Sequence, residues 1–434
     1  MKKLKIFLLF SVISTICLAQ DKPNVILFMA DDVGHECFGA YGSKQYKTPV
    51  LDELASTGIK FNHAYSQPLC TPSRVKIMTG KSNAYNYWDF GILSREEKTI
   101  GHVMKEAGYN TCIAGKWQLY GRTSNENLPV KGALPEDCGF DESYMWQVNS
   151  KELRYWGAKY EFNGKKITYP KDVYGPDKIN DKVLDFITRK KDEPFFIYYP
   201  MIMAHSPFPV TPFSKDMNSK DNQKNFEDMI FYMDHLVGRI VKKLDELDVR
   251  DNTVIIFTTD NGTHKLLKSK LGDRMVKGAK GKTIDYGIHA PLIVNWQKEI
   301  KKPIVNDDII ELQDFLPTVA DLGGGKFPVS ENQHGISFAP ILQSKPYQGR
   351  EAMYMYYNPR PYEKGKKTEA KIFAQDKVWK LYSDGTLYNK EKDILEVKPI
   401  TNDTKQSAAA RAKLQKVLDA MPSKSLVINP DWVE

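Results

Sequence analysis

The sequence predicts an α/β fold: a mainly parallel sheet covered by helices on both faces, followed by a smaller C-terminal α+β domain. Two observations predict it. Apolar, strand-like segments alternate with helix-like segments along most of the chain. Several of the strand-like segments also end in polar side chains. The first, residues 24–30, is continuously apolar and is followed by Asp31 and Asp32, as is typical of a buried parallel strand.

The other elements follow from periodicity and from turn residues. We expect strands at 59–65, 111–114, 194–199, 253–258 and 291–294, and helices at 48–56, 99–107, 226–247 and 314–322. Beyond a loop near 344–349, alternating aromatic segments at 353–357, 370–382 and 386–388 predict an antiparallel sheet, and 407–420 an amphipathic helix. We therefore predict a larger domain over 20–340 and a smaller one over 341–434.

Composition excludes several classes of protein. The chain has 434 residues, 41% hydrophobic and 27% charged, which is the balance of a soluble globular protein rather than a disordered or polytopic membrane protein. The net charge is +8, and removing the three lysines of the N-terminal segment leaves 8 − 3 = +5. This mild excess suits an anionic substrate but is not the basic stripe of a nucleic-acid binder. We expect neither a nucleic-acid partner nor stable membrane insertion.

The N-terminus has the pattern of a sorting signal. A basic start (1–5) and an apolar run (6–18) precede small residues at Cys17 and Ala19. We predict a signal peptide over 1–19, cleaved rather than lipid-anchored, and export to a periplasm. No two of the other four cysteines form a C-x-x-C motif. Their spacing leaves open whether Cys112 and Cys138 form a disulfide.

Six polar residues lie at or just beyond the ends of predicted strands. The carboxyl ends of parallel strands meet at one edge of a sheet, where α/β proteins bind their ligands. We therefore expect these residues to converge at one site: Asp31, Asp32, Lys116, His205, Asp260 and Asn261.

The segment 70–80, CTPSRVKIMTG, is the most informative. It predicts a short helix with Thr71 as the N-cap, Pro72 in the first turn and Gly80 at the end. Cys70 then lies at the positive end of the helix dipole, where an anion is favoured, and Arg74 lies one turn into the helix.

This segment resembles the signature of the type I sulfatases of the alkaline-phosphatase superfamily, C-x-P-S-R followed by T-G. The resemblance covers roughly 23–342, including Gly115-Lys116-Trp117, His205 in a His-Ser-Pro-Phe loop, 260–262, 278–291 and 335–340. It implies an alkaline-phosphatase-like fold, a catalytic larger domain and the hydrolysis of sulfuric esters.

The resemblance also implies the chemistry. A maturation enzyme converts the cysteine at position 70 to formylglycine, whose hydrated aldehyde is the nucleophile. A cation, Ca²⁺ with Mg²⁺ as the alternative, takes hard ligands from Asp31, Asp32, Asp260, Asn261 and the modified Cys70. Three basic residues hold the diol or the sulfate, and one histidine protonates the leaving alcohol. The three basic residues are Arg74, Lys116 and Lys280, and the histidine is His205.

The chain departs from the family pattern at two places. Related sequences often have His where this chain has Gln118, and an amide cannot act as a base. We expect His264 to take over that role. Where relatives often have Arg, this chain has His289. We predict Gln118, Lys280 and His289 as substrate-binding residues.

Export, basic charge and many aromatic residues favour a sulfated carbohydrate substrate, such as the algal polysaccharides ulvan and carrageenan, or a glycosaminoglycan. Five basic residues are candidates for holding a polyanion: Arg154, Arg360, Lys364, Lys366 and Lys367. Two alternatives stay open. One is a phosphoesterase of the same superfamily, which the scarcity of His near the acids disfavours. The other is an inactive glycan-binding homologue, which Gln118 keeps open.

Overall fold

The structure, a computed structural model, describes residues 22–121, 131–148, 152–327, 332–361 and 369–427. Its strands are β1 (Asn24–Ala30), β2 (Ile59–Tyr65), β3 (Asn110–Lys116), β4 (Glu142–Trp146), β5 (Lys159–Phe162), β6 (Lys165–Thr168), β7 (Phe195–Pro200), β8 (Thr253–Thr259), β9 (Lys268–Leu271), β10 (Arg274–Lys277), β11 (His289–Asn295), β12 (Ile304–Glu311), β13 (Met353–Tyr357), β14 (Lys371–Gln375), β15 (Trp379–Tyr382) and β16 (Leu387–Asn389). Its helices are α1 (Pro49–Ser56), α2 (Cys70–Thr79), α3 (Asn83–Asn86), α4 (Ile100–Glu106), α5 (Gly175–Lys190), α6 (Asn222–Glu246), α7 (Asp285–Ile288), α8 (Phe315–Gly323), α9 (Ala339–Leu342) and α10 (Lys405–Asp419).

A ten-stranded sheet in the order β12-β2-β11-β8-β1-β7-β3-β4-β5-β6 forms the centre of the molecule. Strand β1 pairs in parallel with both β7 and β8, and β3 continues the parallel set on the other side of β7. Strand β11 and the β5–β6 hairpin run antiparallel to their neighbours. The predicted fold class, a mainly parallel sheet between helices, is confirmed.

The sheet is buried on both faces, which explains why β1 is continuously apolar. Because side chains alternate along a strand, Val25 and Leu27 pack in one hydrophobic core and Ile26 and Phe28 in the other. Helices α5 and α6 cover the second of these cores, and α4 and α8 cover the first.

Helix α5 is absent from the sequence prediction. Its buried residues recur at helical spacing, as Ile179, Val183, Phe186 and Ile187. A Pro in the first turn is typical of a helix start. The charged residues between these apolar positions mask the pattern, and the contact with the sheet decides the structure.

The predicted antiparallel sheet and helix at the C-terminus are confirmed as β13–β16 and α10. The single strand predicted at 370–382 is wrong, because the segment forms the two strands β14 and β15. Asp376 Oδ1 accepts hydrogen bonds from the backbone N–H groups of Val378 and Trp379, which closes a turn between them. Tyr65 and Ile288 of the larger region share a core with Met355 and Phe373, and the division at residue 340 stays a prediction.

Three further predictions concern the signal peptide, membrane insertion and a disulfide. The signal peptide lies outside the described residues. No helix within the described ranges is both long and apolar enough to cross a bilayer. Cys112 and Cys138 are free, buried thiols and do not pair with each other.

Candidate active site

Asp31 and Asp32 lie beside Asp260 and Asn261 at the carboxyl edge of the central sheet. The in-register pairing of β1 with β8, which puts Ala30 opposite Thr259, brings the two acidic segments together. All four side chains are fully buried. The backbone N–H of Asp32 donates to Asp260 Oδ1 at 3.1 Å, and Asp32 has a left-handed backbone with φ of 63°. The residues that follow two strands thus form one polar cluster.

Helix α2 begins at Cys70, with Leu69 as its N-cap residue, so the prediction of Thr71 as N-cap is wrong. The Thr71 hydroxyl is buried without a hydrogen-bond partner among the described residues. Ser73 positions the helix start instead, because its hydroxyl donates to the backbone oxygen of Asp260. Gly80 ends the helix as predicted, with φ of 67°.

Cys70 lies in the first turn of α2 and is only 2% exposed. Its thiol donates to Gln118 Oε1 at 3.2 Å. Its Sγ and carboxylate oxygens of Asp31 and Asp260 all lie within 4.8 Å of one another. The side chain at position 70 is therefore part of the carboxylate cluster.

Each of the three carboxylates has one lysine or arginine within 3 Å. Lys116 Nζ lies 2.9 Å from Asp31 Oδ2, Arg74 Nη2 lies 2.8 Å from Asp260 Oδ2, and Lys280 Nζ lies 2.5 Å from Asp32 Oδ2. Lys280, one of the three basic residues named from the family resemblance, thus reaches the cluster.

The carboxylates differ in their electrostatics. Burial raises the pKa of Asp31, but the charges of Lys116 and His205 outweigh it and hold that pKa well below its usual range. Burial likewise raises the pKa of Asp32, and Lys280 more than compensates. For Asp260, burial and the charge of Asp31 raise the pKa to about 7, against the opposing effect of Arg74.

His205 lies in the loop after β7, with Nε2 3.5 Å from Asp32 Oδ2. Its Nδ1 donates to Ser206 O at 2.6 Å, which fixes the ring with Nε2 towards the carboxylates. Burial lowers the pKa of His205 to about 4, although Asp32 and Asp31 oppose this. The ring is thus placed to exchange a proton with a group bound over the cluster.

Within the described ranges, the cluster contains a buried oxygen atom without a hydrogen-bond partner, which fits a cation site. Asn261 Nδ2 donates to Asp32 Oδ1 and to Gly262 O, whereas Asn261 Oδ1 is buried and has no partner among the described residues. A buried acceptor without a partner is unusual and points to an absent ligand. Together with three buried carboxylates it forms an all-oxygen donor set, which suits a hard divalent cation.

The family model described as Sulfatase matches residues 23–325. The chain belongs to the sulfatase family. A second model, N-sulphoglucosamine sulphohydrolase, C-terminal, matches residues 280–424 of this sulfatase-family chain. Among curated relatives, an arylsulfatase of Hemicentrotus pulcherrimus is 31% identical over 74% of this chain. That alignment spans 62% of the relative's length. Human arylsulfatase A is 28% identical, over 77% of this chain and 70% of that protein.

Solved structures show the same sulfatase fold. The structure of Ps i-CgsB in complex with k-i-k-neocarrahexaose is 25% identical and covers 92% of both chains, with a TM-score of 0.74. A putative sulfatase from Bacteroides fragilis is 20% identical and covers 96% of this chain and 98% of that one, also with a TM-score of 0.74. The second likeness shows the fold alone.

Two predicted site residues of this sulfatase-family chain have partners elsewhere. His289 Nδ1 lies 3.0 Å from Asp285 Oδ2 and its Nε2 lies 2.9 Å from Asn62 O, so protein atoms engage both ring nitrogens. We therefore do not retain His289 as a substrate contact. His264 Nδ1 accepts from the N–H of Leu266 at 3.4 Å, and no contact joins this ring to Cys70 within the described ranges.

The basic candidates for a polyanion also separate. Lys364, Lys366 and Lys367 lie outside the described residues, and the guanidinium of Arg360 lies 5.1 Å from the Phe90 ring. Arg154, which sequence reasoning grouped with them, lies against Asp31 with Nη1 3.8 Å from Oδ2. Its position eight residues beyond β4 gave no signal for this, because it lies neither at a predicted strand end nor in a motif.

Proposed function

We propose that this chain hydrolyses sulfate esters of sulfated carbohydrates, with formylglycine made from Cys70 as the nucleophile. The observation that carries the proposal is the position of Cys70, which lies at the start of a motif-matching helix, within 4.8 Å of the Asp31 and Asp260 oxygens. A carbohydrate substrate, algal polysaccharides such as ulvan or carrageenan being examples, draws support from Ps i-CgsB, whose structure contains neocarrahexaose.

Two groups complete the proposed site. A cation, Ca²⁺ by the oxygen donor set with Mg²⁺ as the alternative, would be held by Asp31, Asp32, Asp260, Asn261 and residue 70, and supplies positive charge against the sulfate. Formylglycine, produced by a maturation enzyme, supplies a diol oxygen as nucleophile and lets sulfate leave as the aldehyde re-forms.

The basic residues of the site bind and orient the sulfate. Arg74, Lys116 and Lys280 each use part of their donor capacity on a carboxylate, and an ammonium has three donors and a guanidinium five. The remaining donors are available to sulfate oxygens, which carry the charge of the transferred group. Gln118 Oε1, which accepts from Cys70, orients the side chain at position 70.

The proton steps fall to the histidines. As the bond between sulfur and the leaving oxygen breaks, that oxygen takes the proton that Nε2 carries in the imidazolium form of His205, the nitrogen that faces the carboxylates. Because Gln118 cannot act as a base, we keep His264 as the proposed base for sulfate release.

The deciding experiment has two parts. Mass spectrometry of the peptide that contains residue 70 should show an aldehyde in place of the thiol. Sulfate release should follow from at least one member of a panel of sulfated oligosaccharides, with much slower phosphate release from a matched phosphate ester. An intact thiol together with no sulfate release from any panel member would refute the proposal.

Export is a separate part of the proposal. It rests on the N-terminal pattern of 1–19 in the sequence. N-terminal sequencing of the protein from a periplasmic fraction should begin at Gln20, whereas recovery of the intact N-terminus in the cytosolic fraction would contradict it.

A further inference from the structure

Arg154 is a buried arginine at the site that lacks a close anionic partner. Its side chain is 6% exposed, and Nη1 lies 3.8 Å from Asp31 Oδ2, beyond hydrogen-bond distance. Lys116 already occupies that carboxylate at 2.9 Å. Arg154 Nη1 is buried and has no hydrogen-bond partner among the described residues. A buried donor without a hydrogen-bond partner is costly, so the presence of Nη1 at this place needs an explanation.

The guanidinium is held rigidly. Its Cζ lies 3.9 Å from the centre of the Trp146 ring, and Trp146 is fully buried next to Lys116 in the β3–β4 pairing. The Tyr160 hydroxyl donates to the backbone oxygen of Arg154 at 2.5 Å. Stacking on an aromatic face keeps the planar group in one orientation, so little conformational entropy is lost when it binds an anion.

When the charges of the site are counted, Arg154 is the basic side chain in excess. Three carboxylates, Asp31, Asp32 and Asp260, are balanced in charge by three basic side chains, Arg74, Lys116 and Lys280. Arg154 is a fourth cation and makes the sum +1. A divalent cation would raise that sum to +3, and one sulfate monoester returns only one negative charge. The site therefore has positive charge to spare for a second anionic group on the substrate.

The position of Arg154 indicates which part of the substrate carries the second anionic group. The neighbouring Tyr155 hydroxyl donates to His205 O at 2.5 Å and to Ile202 O at 3.1 Å. The Arg154 segment is thus fastened to the loop that carries His205, the residue that meets the leaving oxygen. Asp31, which Arg154 Nη1 approaches to 3.8 Å, also has a carboxylate oxygen within 4.8 Å of a His205 ring nitrogen, so Arg154 and His205 border the same part of the site, on the side of the leaving alcohol.

We infer that Arg154 is a specificity-determining residue that binds a second anionic group, a sulfate or a carboxylate, on the sugar whose sulfate ester is cleaved. The inference rests on the proposed function, because it assumes that the leaving alcohol lies at His205. It adds that the preferred substrate is at least doubly anionic.

The test compares pairs of saccharides that differ only in the second anionic group, for example glucosamine 6-sulfate with glucosamine-2-N,6-O-disulfate, and mono- with disulfated carrageenan oligosaccharides. An aryl sulfate without a second anion is the reference substrate. Arg154→Met keeps an apolar stem on Trp146 and removes the charge. Arg250→Met is the control, because Arg250 is equally buried but lies before β8, at the opposite end of that strand from Asp260.

The natural chain should prefer the doubly anionic member of at least one pair by about 10- to 100-fold in kcat/KM, the range expected for a charge-assisted hydrogen bond. Arg154→Met should abolish that preference, because kcat/KM for the doubly anionic member falls further than kcat/KM for its singly anionic counterpart, whereas Arg250→Met should keep the preference. Equal losses on both members of a pair, as a structural or metal-positioning role would give, would overturn the inference, as would the absence of preference in the natural chain.

Calorimetric binding of the same pairs to Cys70→Ala, with and without Arg154→Met, keeps this test independent of turnover. If the natural chain released no sulfate while Cys70→Ala still bound the doubly anionic member through Arg154, the proposed function would be refuted and Arg154 would remain a binding residue for an anionic group. Equal binding of both members would refute the inference.

Discussion

Helix α2 contributes to two buried clusters of charge, and their difference is instructive. Arg74 faces the carboxylate site, which we define as Asp31, Asp32, Asp260 and Asn261 with the basic residues Arg74, Lys116 and Lys280. Two residues further on, Lys76 faces the ion-pair cluster, which consists of Lys76, Glu311, Asp314 and Arg350. Its Nζ lies 2.6 Å from Glu311 Oε1, and Arg350 Nη2 lies 2.6 Å from Asp314 Oδ1.

Both clusters are buried, pair acids with bases and give every carboxylate oxygen a hydrogen bond, but only the ion-pair cluster has no unpartnered polar atom among its own residues. Every carboxylate oxygen of the ion-pair cluster accepts a hydrogen bond, two of them from the backbone N–H groups of Glu311 and Ile336. At the carboxylate site, Asn261 Oδ1 and the adjacent Arg154 Nη1 have no partner among the described residues. Burial of charge alone therefore does not identify a functional site, and an unpartnered buried group supports one only where, as at Asn261, it lies beside other potential ligands.

The largest effect should follow from Cys70→Ala. Sulfate release should fall below detection because the nucleophile is lost, and the free energy of unfolding should change by less than about 2 kcal/mol, since one small group is removed. Cys112→Ala is the matched control, because it removes an equally buried thiol on β3. Comparable activity in the two variants would show that residue 70 is not the nucleophile.

Asp260→Asn should lower kcat/KM by about 10³-fold, because it removes charge from the cation ligands. In chelator the variant should be no less stable than the natural chain, because burial and Asp31 disfavour the charged carboxylate. Added Ca²⁺ should raise the melting temperature of the natural chain but not of the variant. Zinc rather than calcium in the purified protein, or full activity in chelator, would contradict the proposed cation.

Lys76→Met makes the opposite change, in the ion-pair cluster. It leaves a buried carboxylate, Glu311, short of a partner, and should lower the free energy of unfolding by about 3–5 kcal/mol in urea titrations. The folded variant should keep kcat within about 2-fold. The double variant with Glu311→Leu should regain much of the stability, because replacing both charges removes the unpaired one. A loss of kcat in the single variant without loss of stability would erase the distinction between the clusters.

His264→Ala tests the base that the site lacks at Gln118. If His264 assists sulfate release, steady-state turnover should fall by about 10- to 100-fold, after a burst of alcohol as large as the enzyme concentration. Rapid-quench kinetics with an aryl sulfate measures both phases. Near-normal turnover without a burst would assign release to water or to His205.

The smallest effect concerns Asp234, a buried carboxylate of α6 outside both clusters. It accepts from the backbone N–H groups of Val50 and Leu51 rather than from a basic side chain. Burial raises its pKa to about 7, against the opposing effect of these hydrogen bonds. Because this pKa exceeds the usual value of about 3.9, its contribution to stability is full below about pH 4 and is lost as the pH rises through about 7.

The Asp234→Asn variant should therefore gain stability relative to the natural chain as the pH rises from 5 to 8, at roughly constant m-value. Urea titrations at both pH values measure this difference. A difference that does not change with pH would show that Asp234 titrates normally.

The sequence predicted what depends on local pattern and on strand ends. The carboxyl ends of parallel strands lie at one edge of a sheet, which is why four residues converge there: Asp31, Asp32, Asp260 and Asn261. A continuously apolar segment such as β1 indicates a strand of this kind. The sequence did not predict what long-range contacts decide. Thr71 has the chemistry of an N-cap, but Ser73 bonds the backbone of Asp260 and sets the helix start. His289 bonds Asp285 and Asn62, and Arg154 reaches Asp31, through folding that no motif encodes. The roles of these residues stay proposals.

The burial of Cys70 determines at which stage of biosynthesis this residue can be modified. The Cys70 side chain is 2% exposed, and Ser73 of the same helix bonds the backbone of Asp260, so the folded chain gives another enzyme little access to residue 70. Conversion of this residue, which the proposed function requires, must therefore precede folding. The contact between Ser73 and Asp260 spans 187 residues, so at typical synthesis rates of about 5–20 residues per second the ribosome needs about 10–40 s to supply the closing segment. A mutation or host that speeds folding relative to maturation would yield well-folded chains that stay permanently inactive.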